Sequence, residues 1–327
     1  MESNNPLLAK QKSILPGQTF RIPSKGVFYE NQGILADEVV DGEVAVYPMR
    51  LKEELSMKSI DGIFQGTAIT DTIRYCVPQI LKPEKLASED IDYLLTAIKK
   101  ISHGNYITYR DKCFDPNKEL EEGESSKEKD ILGENATAEF ESQESVFDLA
   151  KEDRVLNEDE LAKVNNPDDI TTKEIRSDEC EFNIPISYFL ENCKEIDVNS
   201  YEQDYIRDFK QFTIHIKPLS FIGFKDLSTL RVQENRKLTD QEYIEYVTEF
   251  SNRNIVNRLA KVDDVTDYNM IYEWVDSLNT NERAELFKII AEASSWGINF
   301  DYEITCQKCG MKKKTNQSHI NPIYFFL

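Results

Sequence analysis

Between residues 119 and 179 the sequence loses the pattern of a foldable core. About 21 acidic residues stand there against about 7 basic ones, so this stretch carries about −14 of the chain's formal charge of −21. It is poor in aromatics and shows no sustained apolar period. Such a composition cannot bury enough apolar surface to offset the entropy of ordering. The stretch reads as a flexible insertion carrying at most short helices, such as one over residues 144–155. Globular structure must then be built from the flanks, residues 20–118 before the insertion and 180–327 after it. Residues 1–19 lack an apolar period as well and read as a flexible N-terminal arm.

The first flank mixes helical and extended patterns. Pro23 and Gly26 set a turn, and Val27, Phe28 and Tyr29 supply apolar anchors beside it. Val44 and Val46 alternate with other residues over 42–49, which fits a strand ending at Pro48. Residues 50–58 read as a helix. Over residues 68–81, Ile69, Ile73, Cys76, Val77 and Ile80 recur at helical spacing, with Pro78 weakening the last turn. Over residues 88–102, Ile91, Leu94, Leu95, Ile98 and Ile101 form one face, Ser88 is the expected N-cap, Glu89 and Asp90 fill the first turn, and Gly104 is the stop. A strand over 105–112 then leads to Cys113.

The second flank repeats the mixture. Extended sequence returns at Cys180, and Phe212, Ile214 and Ile216 alternate along a half-buried strand. Helices are expected over 221–230, 239–259, 266–278 and 281–294. Thr239 with Glu242 forms a capping box, and Thr266 is a second candidate cap. Residues 298–327 are strand-like again. The fold class is therefore α+β, a helical body with short antiparallel strands.

Charge narrows the function classes. A net −21 repels nucleic acid and anionic membranes on average, and the only short basic run is Lys312, Lys313 and Lys314. No run approaches a membrane span, and the first ten residues lack the apolar stretch of a signal peptide. The expectation is a soluble chain made in a cytoplasm. Six cysteines in a reducing compartment are core thiols, metal ligands or nucleophiles rather than disulfides.

Cys306-Gln307-Lys308-Cys309-Gly310 is a C-x-x-C-G turn. Two thiolates at this spacing grip one tetrahedral Zn²⁺ because a tight turn sets both sulfurs on its inner side, and glycine admits the positive φ such a turn favours. A closed structural site needs two more ligands. A degraded internal repeat supplies them. Tyr106-Ile107-Thr108-Tyr109-Arg110-Asp111-Lys112-Cys113, then Cys180, then Ile184-Pro185-Ile186-Ser187-Tyr188-Phe189-Leu190 parallels Phe300-Asp301-Tyr302-Glu303-Ile304-Thr305-Cys306, then Cys309, then Ile320-Asn321-Pro322-Ile323-Tyr324-Phe325-Phe326-Leu327. With the acidic stretch spliced out, Cys113 and Cys180 become the first knuckle and Cys306 and Cys309 the second knuckle of a split zinc ribbon. A long insertion between ligands is tolerable because loop-closure entropy grows only as the logarithm of length.

Each cysteine also has a blander reading. A C-x-x-C can stand without metal. A redox C-x-x-C opens a helix after a strand, and here lysine-rich strand sequence follows instead. Cys76 lies on an apolar helical face and reads as a core thiol, while Cys193 is an alternative ligand to Cys113 or Cys180. His215 and His319 read as strand-surface residues. With three histidines, none beside a nucleophile in a recognisable motif, and no phosphate-binding glycine loop, the chain does not read as an enzyme.

Three segments in order carry a family resemblance: I-P-S-K-G-V-F-Y at residues 22–29, G-E-V-A-V-Y-P-M at 42–49, and the C-x-x-C followed by I-N-P-x-x-F-F at 320–326. From about Phe20 onward, skipping the insertion, the chain resembles the T4-like bacteriophage baseplate hub and hub-assembly proteins. The resemblance implies a structural part of a contractile phage tail, located in the virion and bound to other baseplate and tail proteins in an oligomeric assembly. The acidic charge adds the expectation of no nucleic-acid partner. The resemblance leaves open an assembly factor that departs from the particle, and the cysteines alone leave open a zinc-ribbon regulator. The apolar terminus at 323–327 is a candidate contact, with a neighbour or with the chain's own core.

Overall fold

The computed structural model describes residues 17–59, 62–63, 66–112, 179–201, 205–234, 239–305 and 312–315. Most of the expected arm, the acidic insertion and the apolar C-terminal segment lie outside these residues.

In chain order, β1 (Gln18–Arg21) pairs antiparallel with β2 (Glu43–Val46), with Phe20 opposite Val44. β1 thus begins two residues inside the segment read as an arm. Helices α1 (Leu51–Met57), α2 (Thr67–Cys76) and α3 (Ser88–His103) follow, with a 3₁₀ turn at Pro83–Lys85. Next come β3 (Tyr106–Lys112), β4 (Glu179–Pro185) and α4 (Ile186–Glu191). The hairpin β5 (Ile206–Phe209) and β6 (Phe212–Ile216) leads into α5 (Phe221–Glu234) and α6 (Asp240–Val256). β7 (Leu259–Val262), α7 (Tyr268–Ser277), α8 (Thr280–Ala293), β8 (Tyr302–Thr305) and β9 (Lys312–Thr315) complete the order. Helices with short antiparallel strands match the α+β expectation.

Where helix ends depart from the sequence reading, local chemistry explains the shift. α2 stops at Cys76 because Val77 precedes proline and is pushed out of the helical region, to φ −133° and ψ 75°. α3 is capped by Ala87, not Ser88. The Ser88 amide donates to the Leu219 carbonyl at 2.8 Å, so a neighbouring segment serves an orphan donor that a side-chain cap would otherwise serve. α6 ends at Val256 because Leu259 pairs with Ile216 as the third strand of a sheet. Its Thr239–Glu242 capping box forms as expected. Asp267 rather than Thr266 caps α7, accepting the Met270 amide at 3.0 Å.

The chain divides into two compact units. The described part of the first comes from residues 17–105 and 186–299, that of the second from 106–112, 179–185, 300–305 and 312–315. The blocks on either side of the insertion therefore each contribute to both units. In the first unit, the sheet β5-β6-β7 carries a core in which Phe209 and Ile214 join Val256 of α6, Val275 of α7 and Ile290 of α8. A smaller cluster of Leu219, Leu227 and Phe250 joins α5 to α6. Leu94, Leu95 and Ile98 make the inner face of α3, fully buried as the helical spacing predicts.

The second unit consists of two antiparallel hairpins among the described residues, β3–β4 and β8–β9. Phe182, Ile184, Phe300 and Ile304 are its buried apolar side chains there. The buried Thr315 hydroxyl fastens β9, lying 3.2 Å from the Phe300 carbonyl and 3.1 Å from the Tyr302 carbonyl.

Candidate functional site

The four cysteines expected to hold zinc fall in sequence within or beside the strands of the second unit's two hairpins. β3 ends at Lys112, one residue before Cys113, and Lys112 lies opposite Glu179, the first residue of β4. Cys180 follows in β4, opposite Asp111. β8 ends at Thr305, one residue before Cys306, and Thr305 lies opposite Lys312, the first residue of β9. Cys306 and Cys309 thus fall in the connection between these two paired strands. Both hairpins belong to one compact unit. The backbone of Cys180 is described, whereas Cys113, Cys306 and Cys309 lie outside the described residues, as does His319. Among the described residues, no group of three or more His, Cys, Asp or Glu gathers as a metal site, and no ribbon is seen there.

The other two cysteines belong to the first unit. Cys76 is buried on α2, and burial pushes its thiol up to about 12, so it stays a neutral core thiol. Cys193 is partly buried, and burial, together with the carboxylates of Asp90 and Glu195, pushes its thiol up to about 12 as well. A poised ligand or nucleophile needs the opposite shift. His215 sits on β6 opposite Ile206 and Lys261, with burial and then the Lys261 charge lowering its pKa. His103 closes α3 with its Nε2 3.1 Å from Glu54.

The segment I-P-S-K-G-V-F-Y has a definite task in the first unit. It wraps a carboxylate that has no exposed surface. The Ser24 amide donates to Asp90 Oδ1 at 3.0 Å and the Tyr29 hydroxyl to Asp90 Oδ2 at 2.5 Å. The same hydroxyl accepts the Ala87 amide at 2.8 Å, which ties the loop to the start of α3. Gly26, at φ +83°, turns the chain so that its amide reaches the Ser24 hydroxyl at 3.2 Å. Burial raises Asp90 to about 6 despite these bonds. Tyr29 is raised well above its ordinary value, first by burial and then by the Asp90 charge. Phe28 stacks on Trp296 with ring centroids 5.9 Å apart and meets Tyr205 edge-on at 4.9 Å. The Trp296 indole donates to the Tyr205 hydroxyl at 2.6 Å.

Next to this lock, Glu89 is raised by burial while the Arg258 charge lowers it. Arg258 is held by Asn254 Oδ1 and the Ser294 hydroxyl, each at 3.3 Å. Gly297, at φ +95°, leaves room for Glu89, since a Cβ there would sit 3.0 Å from the Glu89 Cβ. These carboxylates are fastened rather than poised. The sequence reading placed Glu89 and Asp90 only as first-turn partners of the helix dipole. No local signal marks Asp90 as an anchor, because its donors stand 66 and 61 positions earlier. A second fixture of this kind was also missed. Arg50 grips Glu53 with two bonds, at 3.1 and 2.9 Å, and lies 3.4 Å from the centroid of the Tyr75 ring.

None of the helices among the described residues is long and apolar enough to cross a membrane. Neither curated proteins nor solved structures yield a match. The sequence does match the family described as T4 bacteriophage base plate protein over residues 34–323. That stretch takes in both cysteine-bearing hairpins, the acidic segment and nearly all of the helical core. With most of its length so matched, the chain belongs to the T4 bacteriophage base plate protein family.

Proposed function

We propose that this chain is a structural subunit of the baseplate hub of a contractile-tailed phage, retained in the virion and performing no chemistry of its own. The observation that carries the reading is the family match over residues 34–323. The buried carboxylates support it, since Asp90 is bonded to loop donors inside the core as a fold lock rather than offered to a substrate. The test is a mass-spectrometric inventory of purified particles. The account expects the chain at fixed stoichiometry with the other baseplate proteins. Its presence only in assembly intermediates would favour an assembly factor that leaves. Salt-dependent binding of DNA or RNA would favour a regulator.

The same proposal includes one structural Zn²⁺ held by Cys113, Cys180, Cys306 and Cys309. Support comes from the matching architecture of the two hairpins, in which a strand ends one residue before Cys113 in one and before Cys306 in the other. Metal bound there would supply folding energy that so small a unit lacks. Metal analysis of the pure chain should return one zinc. A value well below one, with Cys306 unoxidised, would contradict it.

A further inference from the structure

α6 has two contrasting halves. Its second half is built into the core, with Phe250, Asn252, Ile255 and Val256 buried. Its first two turns stand clear of the core, and residues 241–245 and 247 are all exposed. The inner side of these turns is Tyr246, which packs on the cluster of Leu219, Leu227 and Phe250. Beside it runs a second apolar stripe that is exposed among the described residues. Tyr243 is 51% exposed, Ile244 60% and Val247 38%. The spacing i, i+1, i+4 sets the three side chains on one side of the helix.

Two further observations say what would cover the stripe. First, the helix end is already formed. Thr239 and Glu242 cap each other's orphan donors, with the Thr239 amide 2.8 Å from Glu242 Oε2. A partner meets a rigid helix and bears little ordering cost for it. Second, this part of the helix is acidic throughout. Asp240, Glu242, Glu245 and Glu249 precede its first base, Arg253. That arginine is already engaged by Asp226 at 2.7 Å and by Glu249 at 2.6 Å. A second copy of a chain of net charge −21 is repelled from such a helix, whereas a cationic apolar segment is attracted.

We propose that Tyr243, Ile244 and Val247 of α6 dock a basic amphipathic helix of a neighbouring protein. That the neighbour is another tail component rests on the assembly reading above. Docking of helical apolar anchors into such a stripe is the ordinary helix-on-helix mode of recognition.

The probe is a labelled synthetic peptide of leucine and lysine at amphipathic helical spacing, titrated against the full chain by fluorescence anisotropy. A serine-and-lysine peptide of equal charge serves as comparison. The expected result is saturable binding of the leucine peptide, weakened about tenfold or more by Ile244→Asp, with the serine peptide bound far more weakly. Ile244→Asp adds a negative charge, so binding that is purely electrostatic would hold or tighten instead. Unchanged or tighter binding by that variant, equal binding of the two peptides, or no binding at all would each overturn the proposal. Concentration-dependent dimers abolished by Ile244→Asp would overturn it in favour of self-pairing. Circular dichroism confirms that the variant folds. Absence of the chain from particles would remove the baseplate neighbour yet leave this titration unchanged, so the two readings fail separately.

Discussion

In the first unit, a three-stranded sheet and helices α6, α7 and α8 enclose a core around Phe209, Ile214, Val275 and Ile290, and a wrapped carboxylate fixes the loop at residues 22–29. In the second, two paired-strand hairpins bury Phe182, Ile184, Phe300 and Ile304 among the described residues. A two-stranded hairpin is marginal by itself in water. The contrast teaches where a staple is needed. A unit with a deep core can spare an expensive buried carboxylate, whereas a unit of short hairpins is where the proposed zinc would serve as a cross-link. The four cysteines proposed as zinc ligands fall within the sequence spans of this second unit.

The largest expected effect falls on the second unit alone. If the proposed zinc is bound, replacing Cys306 and Cys309 by serine, or stripping metal with a chelator, should remove a binding free energy on the order of 10 kcal/mol. Hydrogen exchange should then show lost amide protection in β8 and β9 while α3 and β6 keep theirs. Loss in both units at once, or in neither, would end the comparison. The converse variant is Ile98→Ala in the fully buried face of α3. It should cost about 2–5 kcal/mol in denaturant unfolding of the first unit, and zinc content should be untouched.

The Asp90 lock predicts a pH dependence of the first unit. Burial raises Asp90 from 3.8 to about 6, so the folded state holds this proton more tightly than the unfolded state does. Its contribution to stability is present in full below the unfolded value and is lost as pH rises through the folded one. The amplitude is on the order of 2–3 kcal/mol between pH 4 and 6. Glu53 opposes it in part: its pKa is lowered although burial works the other way, because the Arg50 bonds prevail, and its contribution fades as pH falls. Burial also raises Glu89 and, to about 8, Asp92, so both add to the trend. Denaturation midpoints across this range should show it, and Asp90→Asn should reduce it by the Asp90 share. The smallest effect is Thr239→Ala, which removes the cap of α6 at a cost of about 1 kcal/mol. It should show as faster exchange in the first turns of α6 alone.

Periodic patterns were legible and long-range ones were not. The buried face of α3 follows from Ile91, Leu94, Leu95 and Ile98 because each sits on the same helix, and the Thr239–Glu242 box spans only three residues. The cap of α3 was misread because the Ser88 amide finds its acceptor at Leu219. The wrapping of Asp90 by Ser24 and Tyr29 was invisible for the same reason. The family segment at residues 22–29 was found as a pattern, yet its function as a lock needed the structure. Extended sequence on both sides of the acidic stretch was read from the repeat, and the structure pairs these strands as β3 and β4. That β3–β4, which brackets the acidic stretch, and β8–β9 fall in one unit has no local signature, since it depends on contacts far apart in sequence.

Zinc X-ray absorption of the purified chain tests the account most directly. Four sulfur neighbours at about 2.3 Å, at one metal per chain, are the predicted result. A shell dominated by nitrogen or oxygen, or the absence of stoichiometric zinc from a chain with reduced cysteines, would contradict a metal-closed second unit.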